Sequence, residues 1–278
     1  MASSLYPPPR PLAVGETLDL AFRIFRATLL TCLVYSGLAV IAGELPNIYN
    51  IVRQRPLATL LEEHDPVYWL LNIAGAIIAL VLCSALLLRQ HAIASGGRPA
   101  TGSELPLVLR RLPGLVLLFV LSALATCVWF VPLMTLRGSD VLTQGLAVAL
   151  LSIPATWVGV ALSCSGTVFL ISGAGTVASL ARSWRLVRGN WWRLAAIYTV
   201  GLLLLFVLLT VAGALALIVA VPVAHGDLVV VSAVATVVGV ILNAIGLPLF
   251  IALALAAYGD LAARREGADL AQKIAAAG

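Results

Sequence analysis

Charge is scarce in this chain. Only 10% of its 278 residues are charged and 62% are hydrophobic, more apolar surface than a soluble domain of that size can hide. Lysine is almost missing, Lys273 being the single one, so the net charge of +5 rests on arginine. Those arginines sit beside apolar runs, where they meet lipid headgroups or orient the chain. Nucleic-acid binding would need a basic surface on a soluble module, and none is visible. Cysteine is limited to Cys32, Cys83, Cys127 and Cys164, each inside an apolar run, without C-x-x-C spacing or histidine neighbours. That argues against metal and redox arrangements and leaves buried thiols, which pack as small hydrophobes. The apolar runs hold no histidine to activate Ser163 or Ser165, no H-E-x-x-H and no aspartate pair. No enzyme and no cofactor is therefore expected. The opening M-A-S-S-L-Y-P-P-P-R-P lacks a basic segment leading into an apolar one. It is expected to be a short extended tail rather than a signal peptide.

Long apolar sequence is what abounds. Mean hydropathy is +1.07, which fits an integral membrane protein. Six runs long enough to cross a bilayer fall at about 27–43, 67–88, 112–136, 146–172, 194–221 and 228–258. The expected fold is an all-α integral membrane protein of six transmembrane helices in a single membrane domain, 1–278. A cytoplasmic tail and surface helix occupy 1–26, and a second tail occupies 259–278. Pro154 is expected to kink the fourth run, Pro222 to close the fifth, and Pro248 lies inside the sixth. The connector 44–66 has room for a short helix at 48–61. Six spans put both termini on one side. Fourteen of the 17 basic residues fall on that side, and only Arg53, Arg55 and Arg137 lie opposite. The positive-inside rule then makes the termini cytoplasmic. The arginine-rich, lysine-poor composition fits a GC-rich bacterium, so the expected location is a bacterial plasma (inner) membrane.

The other spans are arranged around the stretch 179–193, S-L-A-R-S-W-R-L-V-R-G-N-W-W-R. At about 100° per residue, Leu180, Trp184 and Val187 share one helix face and Arg182, Arg185 and Arg188 the opposite one. Leu186 falls on the wrong side. Gly189-Asn190 predicts a turn, since both residues tolerate positive φ. Trp191, Trp192 and Arg193 then open the fifth run. Arginine outside and tryptophan at the boundary describe an amphipathic helix on a cytoplasmic membrane surface. The segment 15–26 is similar, with Leu18, Phe22 and Phe25 on one face and Arg23 and Arg26 among its polar residues. A weaker copy, 105–111, ends in Arg110-Arg111. Each copy precedes two spans, which predicts three repeats of a surface helix plus a transmembrane hairpin.

Two segments carry a family resemblance. One is Arg10-Pro11-Leu12, then Gly15-Glu16-Thr17-Leu18-Asp19, then Phe22-Arg23 and Arg26. The other is Ser183-Trp184-Arg185-Leu186-Val187-Arg188-Gly189-Asn190-Trp191-Trp192-Arg193. Together they resemble the membrane domain found in some glycerophosphoryl diester phosphodiesterases and its standalone bacterial relatives. In the fused enzymes a separate soluble barrel holds the catalytic carboxylates. The sequence ends at Gly278 without such a barrel, so the resemblance implies fold and location and does not imply phosphodiesterase activity.

The expected function is that of a non-enzymatic scaffold or accessory protein organising lipids or a partner. The alternative is a small-molecule or lipid permease. The partners expected are the lipid bilayer, its anionic headgroups, and a membrane or cytoplasmic protein. The residues to carry lipid or partner binding are Arg23, Arg26, Arg110, Arg111, Arg182, Arg185, Arg188, Trp191, Trp192 and Arg193. Each arginine near an anionic leaflet adds about 1 kcal/mol. Asn72 and Asn243 are the amides inside spans, expected to make interhelical hydrogen bonds or, in a permease, to meet substrate. His91 is expected to face headgroups, and Glu44 to reach water. The acidic run Glu62-Glu63-His64-Asp65 and the pair His225 and Asp227 are expected to be solvated loops rather than a metal site.

Overall fold

A computed structural model of the chain describes residues 5–53, 65–136, 140–224 and 228–277. Its elements, among these residues, are all helical. They are α1 (Val14–Val52), α2 (Pro66–Ala94), α3 (Leu105–Cys127), α4 (Val141–Leu162), α5 (Ser165–Ser172), α6 (Thr176–Val187), α7 (Trp191–Ala224) and α8 (Leu228–Ala277), with a 3-10 segment, Val128–Leu136, continuing α3. Six stretches are long and apolar enough to cross a membrane: Val14–Val52, Pro66–Ala94, Leu105–Leu133, Val141–Ser172, Trp191–Leu215 and Ala233–Arg265. The chain is an all-α, multi-pass membrane protein. Helix is the form an apolar run takes in lipid, because it satisfies every backbone group within the segment. The starts are capped from the sequence. The Asp65 carboxylate accepts from the Val67 amide with Pro66 at the first helical position, and Asp140 accepts from the Thr143 amide.

α1 packs along both α2 and α8, α7 along α8, and α3 with its 3-10 continuation along α4. Only the third of the three surface-helix copies, α6, is a separate element. The first two form the opening turns of α1 and α3, because neither has a Gly-Asn turn to break the helix. α1 also runs past 43 and through Pro46 to Val52, α7 passes through Pro222 to Ala224, and α8 continues unbroken to Ala277. The fourth span runs through Pro154 and is interrupted at Ser163-Cys164, between α4 and α5. Residues 54–61 of the expected connector helix, and the turn residues 137–139, lie outside the described residues.

Two prolines position the inner helices. A proline has no N–H, so the carbonyl four residues earlier loses its helical donor. Pro248 of α8 frees the Ala244 carbonyl, and the Ser36 hydroxyl of α1 donates to it at 2.7 Å. Pro46 of α1 frees the Ala42 carbonyl, which faces Gly75 of α2. A Cβ at position 75 would sit 2.2 Å from that oxygen, so only glycine fits. Gln90 of α2 adds hydrogen bonds to the Thr28 hydroxyl at 3.2 Å and the Pro248 carbonyl at 2.9 Å.

Candidate functional site

The chain segments at one end of the bundle meet around Asp260, whose side chain is 1% exposed. Its carboxylate accepts from the Leu12 amide at 2.7 Å, from Arg193 Nε at 2.9 Å and from Arg264 Nε at 3.2 Å. Arg193 and Arg264 also donate to the Leu12 carbonyl. Just before Leu12, the Tyr6 ring packs edge-on against His91, centroids 5.1 Å apart, and the Leu5 and Tyr6 amides donate to the Ala94 carbonyl. His91 is thus half-buried against the N-terminal segment. One carboxylate, neutralised by two guanidinium groups, holds the N-terminal segment, the start of α7 and α8 together. Arg264 at i+4 from Asp260 is visible in the sequence. Arg193 and Leu12 are too distant in the chain for any spacing rule to reveal them.

A second buried pair closes the link between α2 and α3. Arg89 and Glu104 each expose 6% of their side chains and approach to 3.1 Å. The Tyr35 hydroxyl donates to Glu104 at 3.2 Å and accepts from the Gly102 amide at 2.7 Å, and the Arg89 guanidinium lies over the Tyr35 ring.

Next to the Asp260 knot, the α6–α7 turn forms a tryptophan-walled pocket of about 680 Å³. Gly189 has φ +87°, the left-handed conformation expected of the Gly-Asn turn, and swings α7 back beside α6. Trp157 of α4 and Trp184 of α6 meet edge to face at 4.9 Å, as do Trp191 and Trp192 at 4.7 Å. The Trp191 indole N–H donates to the Trp157 carbonyl at 3.0 Å, fixing one wall, while Trp192 is 82% exposed. Arg188 lines the rim, and its carbonyl accepts from Arg265.

The face that α6 buries within the protein is not the Leu180/Trp184/Val187 face. Ser179, Ser183, Leu186 and Val187 are buried, and Trp184 is 37% exposed. On a 100° wheel the inward face is rotated about 80° from the Leu180/Trp184/Val187 face. Small side chains allow the close approach: the Ser183 hydroxyl donates to the Ala161 carbonyl of α4 at 2.8 Å. Leu186, which did not fit the sequence pattern, belongs to the core. The first copy behaves alike, with Thr17, Ala21 and Ile24 buried and Phe22 exposed.

The candidate binding residues divide by engagement. Arg193 is taken up by Asp260. Arg23 pairs with Asp19 at 2.9 Å. Arg111 donates to the Phe169 and Leu170 carbonyls at 3.3 and 3.2 Å, capping the C-terminal end of α5. Arg182 is half-buried and engaged. Arg26, Arg110, Arg185 and Arg188 present exposed side chains. Neither amide bridges helices among the described residues. Asn243 donates to the Gly239 carbonyl of its own helix at 2.9 Å, and Asn72 is exposed in the second turn of α2. The Glu44 carboxylate accepts from the Asn47 amide at 2.7 Å. Of the acidic run only Asp65 is described, capping α2 and accepting from the Tyr49 hydroxyl at 3.0 Å. Residues 62–64, 225 and 227 lie outside the described residues. Compared with known proteins, the chain matches no family model, no curated protein and no solved structure.

Proposed function

We propose that this chain is a non-enzymatic protein of a bacterial plasma membrane, with both termini cytoplasmic, that organises anionic lipid at the cytoplasmic surface. The pocket walled by Trp157, Trp184, Trp191 and Trp192 and rimmed by Arg188 carries this reading. Indole rings favour the headgroup level, and a guanidinium group binds a phosphate bidentately. The amphipathic character of α6 and the arginine bias toward the termini's side support the orientation. The resemblance to the phosphodiesterase membrane domain supports the location.

The test is retention of anionic against zwitterionic lipid by the purified protein in mild detergent, read by mass spectrometry. Arg185→Glu with Arg188→Glu is expected to lower anionic-lipid retention about fivefold per arginine, the equivalent of about 1 kcal/mol each. Lysine replacements should be far milder. Unchanged retention in the glutamate variant would reject the lipid reading. Equal loss with lysine and glutamate would point to a protein partner that reads guanidinium geometry. A permease is the second reading, favoured by the interruption of the fourth span at Ser163-Cys164. Robust uptake or lipid scrambling by the reconstituted protein would favour it over the first.

A further inference from the structure

We infer that the seam between α2, α3, α4, α5 and α8 is a binding site for a neutral lipid alcohol, a lipid whose headgroup is an uncharged hydroxyl, of the diacylglycerol or polyprenol type. A cavity of about 440 Å³ lies there, within the ~300–1,000 Å³ range of small-molecule sites. It is separate from the tryptophan-walled pocket and shares no lining residue with it.

Six hydroxyls line this cavity: Ser84 of α2, Ser122 and Thr126 of α3, Ser163 at the break between α4 and α5, where it donates to the Val160 carbonyl at 2.8 Å, and Ser165 and Thr167 of α5. Ser84 and Ser165 are 5% exposed and Thr167 is 3% exposed. None of these three hydroxyls has a hydrogen-bond partner among the described residues, and the Ser122 hydroxyl is also buried without one. A serine or threonine within a helix ordinarily returns its hydroxyl to a carbonyl one turn back, as Thr126 does to Ser122 at 2.9 Å. Unpartnered hydroxyls in an apolar surround are costly. A ligand that brings hydroxyl and ester oxygens to the same space satisfies them.

Charge and depth select the ligand class. No charged residue lines the cavity. Arg111, at the basic end of α3, is engaged by the Phe169 and Leu170 carbonyls. A phosphate would lie there without a counter-charge, whereas an alcohol needs none. Ser84 lies about 15 Å, and Thr167 about 8 Å, from the ends of their helices at Ala94 and Ser172, at about 1.5 Å per residue. That places the hydroxyls below the headgroup phosphates, at a depth open to an uncharged head. Apart from these six hydroxyls the wall is apolar, and Phe119, 65% exposed, stands at a mouth on the outer surface of the bundle. A lipid enters such a mouth sideways with its chains left in the bilayer.

The test uses the full chain in phosphatidylcholine nanodiscs with photoreactive diacylglycerol, polyprenol or phosphatidic acid at matched mole fraction. At least one alcohol is expected to label peptides spanning 115–126 and 159–170 tenfold more than phosphatidic acid, and the stronger of the two names the source. Ser84→Ala with Thr167→Val should cut that labelling tenfold. Gly166→Leu should block it by bulk, because a Cβ at Gly166 meets open space and the fold accepts it. Ser152→Ala, whose hydroxyl serves the Ala149 carbonyl at 2.7 Å, should leave labelling unchanged. So should Arg185→Glu with Arg188→Glu, which separates this site from the anionic-lipid pocket. The inference is overturned if phosphatidic acid labels as strongly as both alcohols. It is also overturned if neither alcohol labels above background, or if labelling persists in both the hydroxyl-deletion and Gly166→Leu proteins.

Discussion

Helices α1, α2 and α8 are joined to one another at mid-span, whereas the α3–α4 hairpin is joined to its neighbours only over its basic-end half. In the inner group, Ser36 reaches the Ala244 carbonyl, Gln90 reaches Pro248, and Gly75 lets the Ala42 carbonyl approach. In the hairpin, the hydrogen bonds to other elements come from Arg111, Gly114 and Ala161, and from Trp157 one turn further on, and the buried apolar contacts from Val108, Leu115 and Leu118. Beyond Leu118 of α3 and before Ala155 of α4, no described residue of either helix is buried. The two groups also treat proline differently. Pro248 frees a carbonyl that Ser36 satisfies, but Pro154 frees the Leu150 carbonyl on an exposed face, with no side-chain donor among the described residues. In lipid there is no hydrophobic force to hold helix on helix, so small residues and polar bonds do that work. The inner group has them and the outer half of the hairpin does not. The hydroxyl-lined cavity lies on the seam between the two groups, where neither packs fully.

The largest effect is expected at the joint between the groups. Glu104 caps the start of α3 and Arg89 lies in the last two turns of α2, both buried. Glu104→Ala leaves a buried guanidinium uncompensated and should cost about 3–5 kcal/mol of unfolding free energy in mixed micelles. The double replacement Arg89→Met with Glu104→Leu should be far milder than Glu104→Ala alone. A double variant as damaged as the single one would show that the charge itself, rather than its pairing, holds the joint.

Gly75→Ala is the next largest. The added methyl meets the Ala42 carbonyl oxygen, and backbone must move to accept it, at a cost of about 1–3 kcal/mol. Gly145→Ala in α4 is the matched comparison, because a Cβ there meets nothing within 4 Å. It should be neutral or, by helix propensity, stabilising by up to about 1 kcal/mol. Equal destabilisation at the two sites would dissolve the distinction between the groups. A smaller loss is expected for Ser36→Ala, about 0.6–1.7 kcal/mol, the range of interhelical hydrogen bonds in membranes.

The spans were legible because hydropathy alone forces helix in lipid, and their number follows from six apolar runs. The positions of breaks were not. Pro154 and Pro222 are ordinary helix-breaking signals, yet both helices pass through them, while Ser163-Cys164 breaks the fourth span with no proline or positive-φ glycine between α4 and α5. The faces that α1 and α6 bury within the protein were not legible, for one physical reason. A wheel that sorts residues by hydrophobicity finds the apolar faces of Phe22 and Trp184, but these helices pack on their neighbours through Thr17, Ala21, Ser179 and Ser183. Of the candidate site, the Gly189 turn and the tryptophans around it were legible as local sequence. Trp157 as a fourth wall was not, nor was the diversion of Arg193 to Asp260, since both depend on contacts across the fold.

The smallest effect belongs to Asp140, at the far end of the hairpin. Its carboxylate accepts from the Thr143 hydroxyl at 2.6 Å and the Thr143 amide at 3.0 Å. The hydroxyl first, then the amide, holds the carboxyl below the ordinary aspartate range. The ionised form is thus favoured in the folded state relative to the unfolded one. Its contribution is fully present above the unfolded pKa of about 3.9, declines as pH falls through the lower folded value, and is gone beneath it. Asp140→Asn keeps a capping oxygen and removes the titration. Stability of the variant should match wild type near neutral pH and fall less steeply as pH drops below the ordinary aspartate value of about 3.9. Because α4 is exposed here and makes no buried contact before Ala155, the change should stay local: hydrogen exchange should rise in the first turn of α4 and remain unaltered in α1 and α8. A change that spread to α8 would mean that the outer end of the hairpin is fastened to the inner group after all.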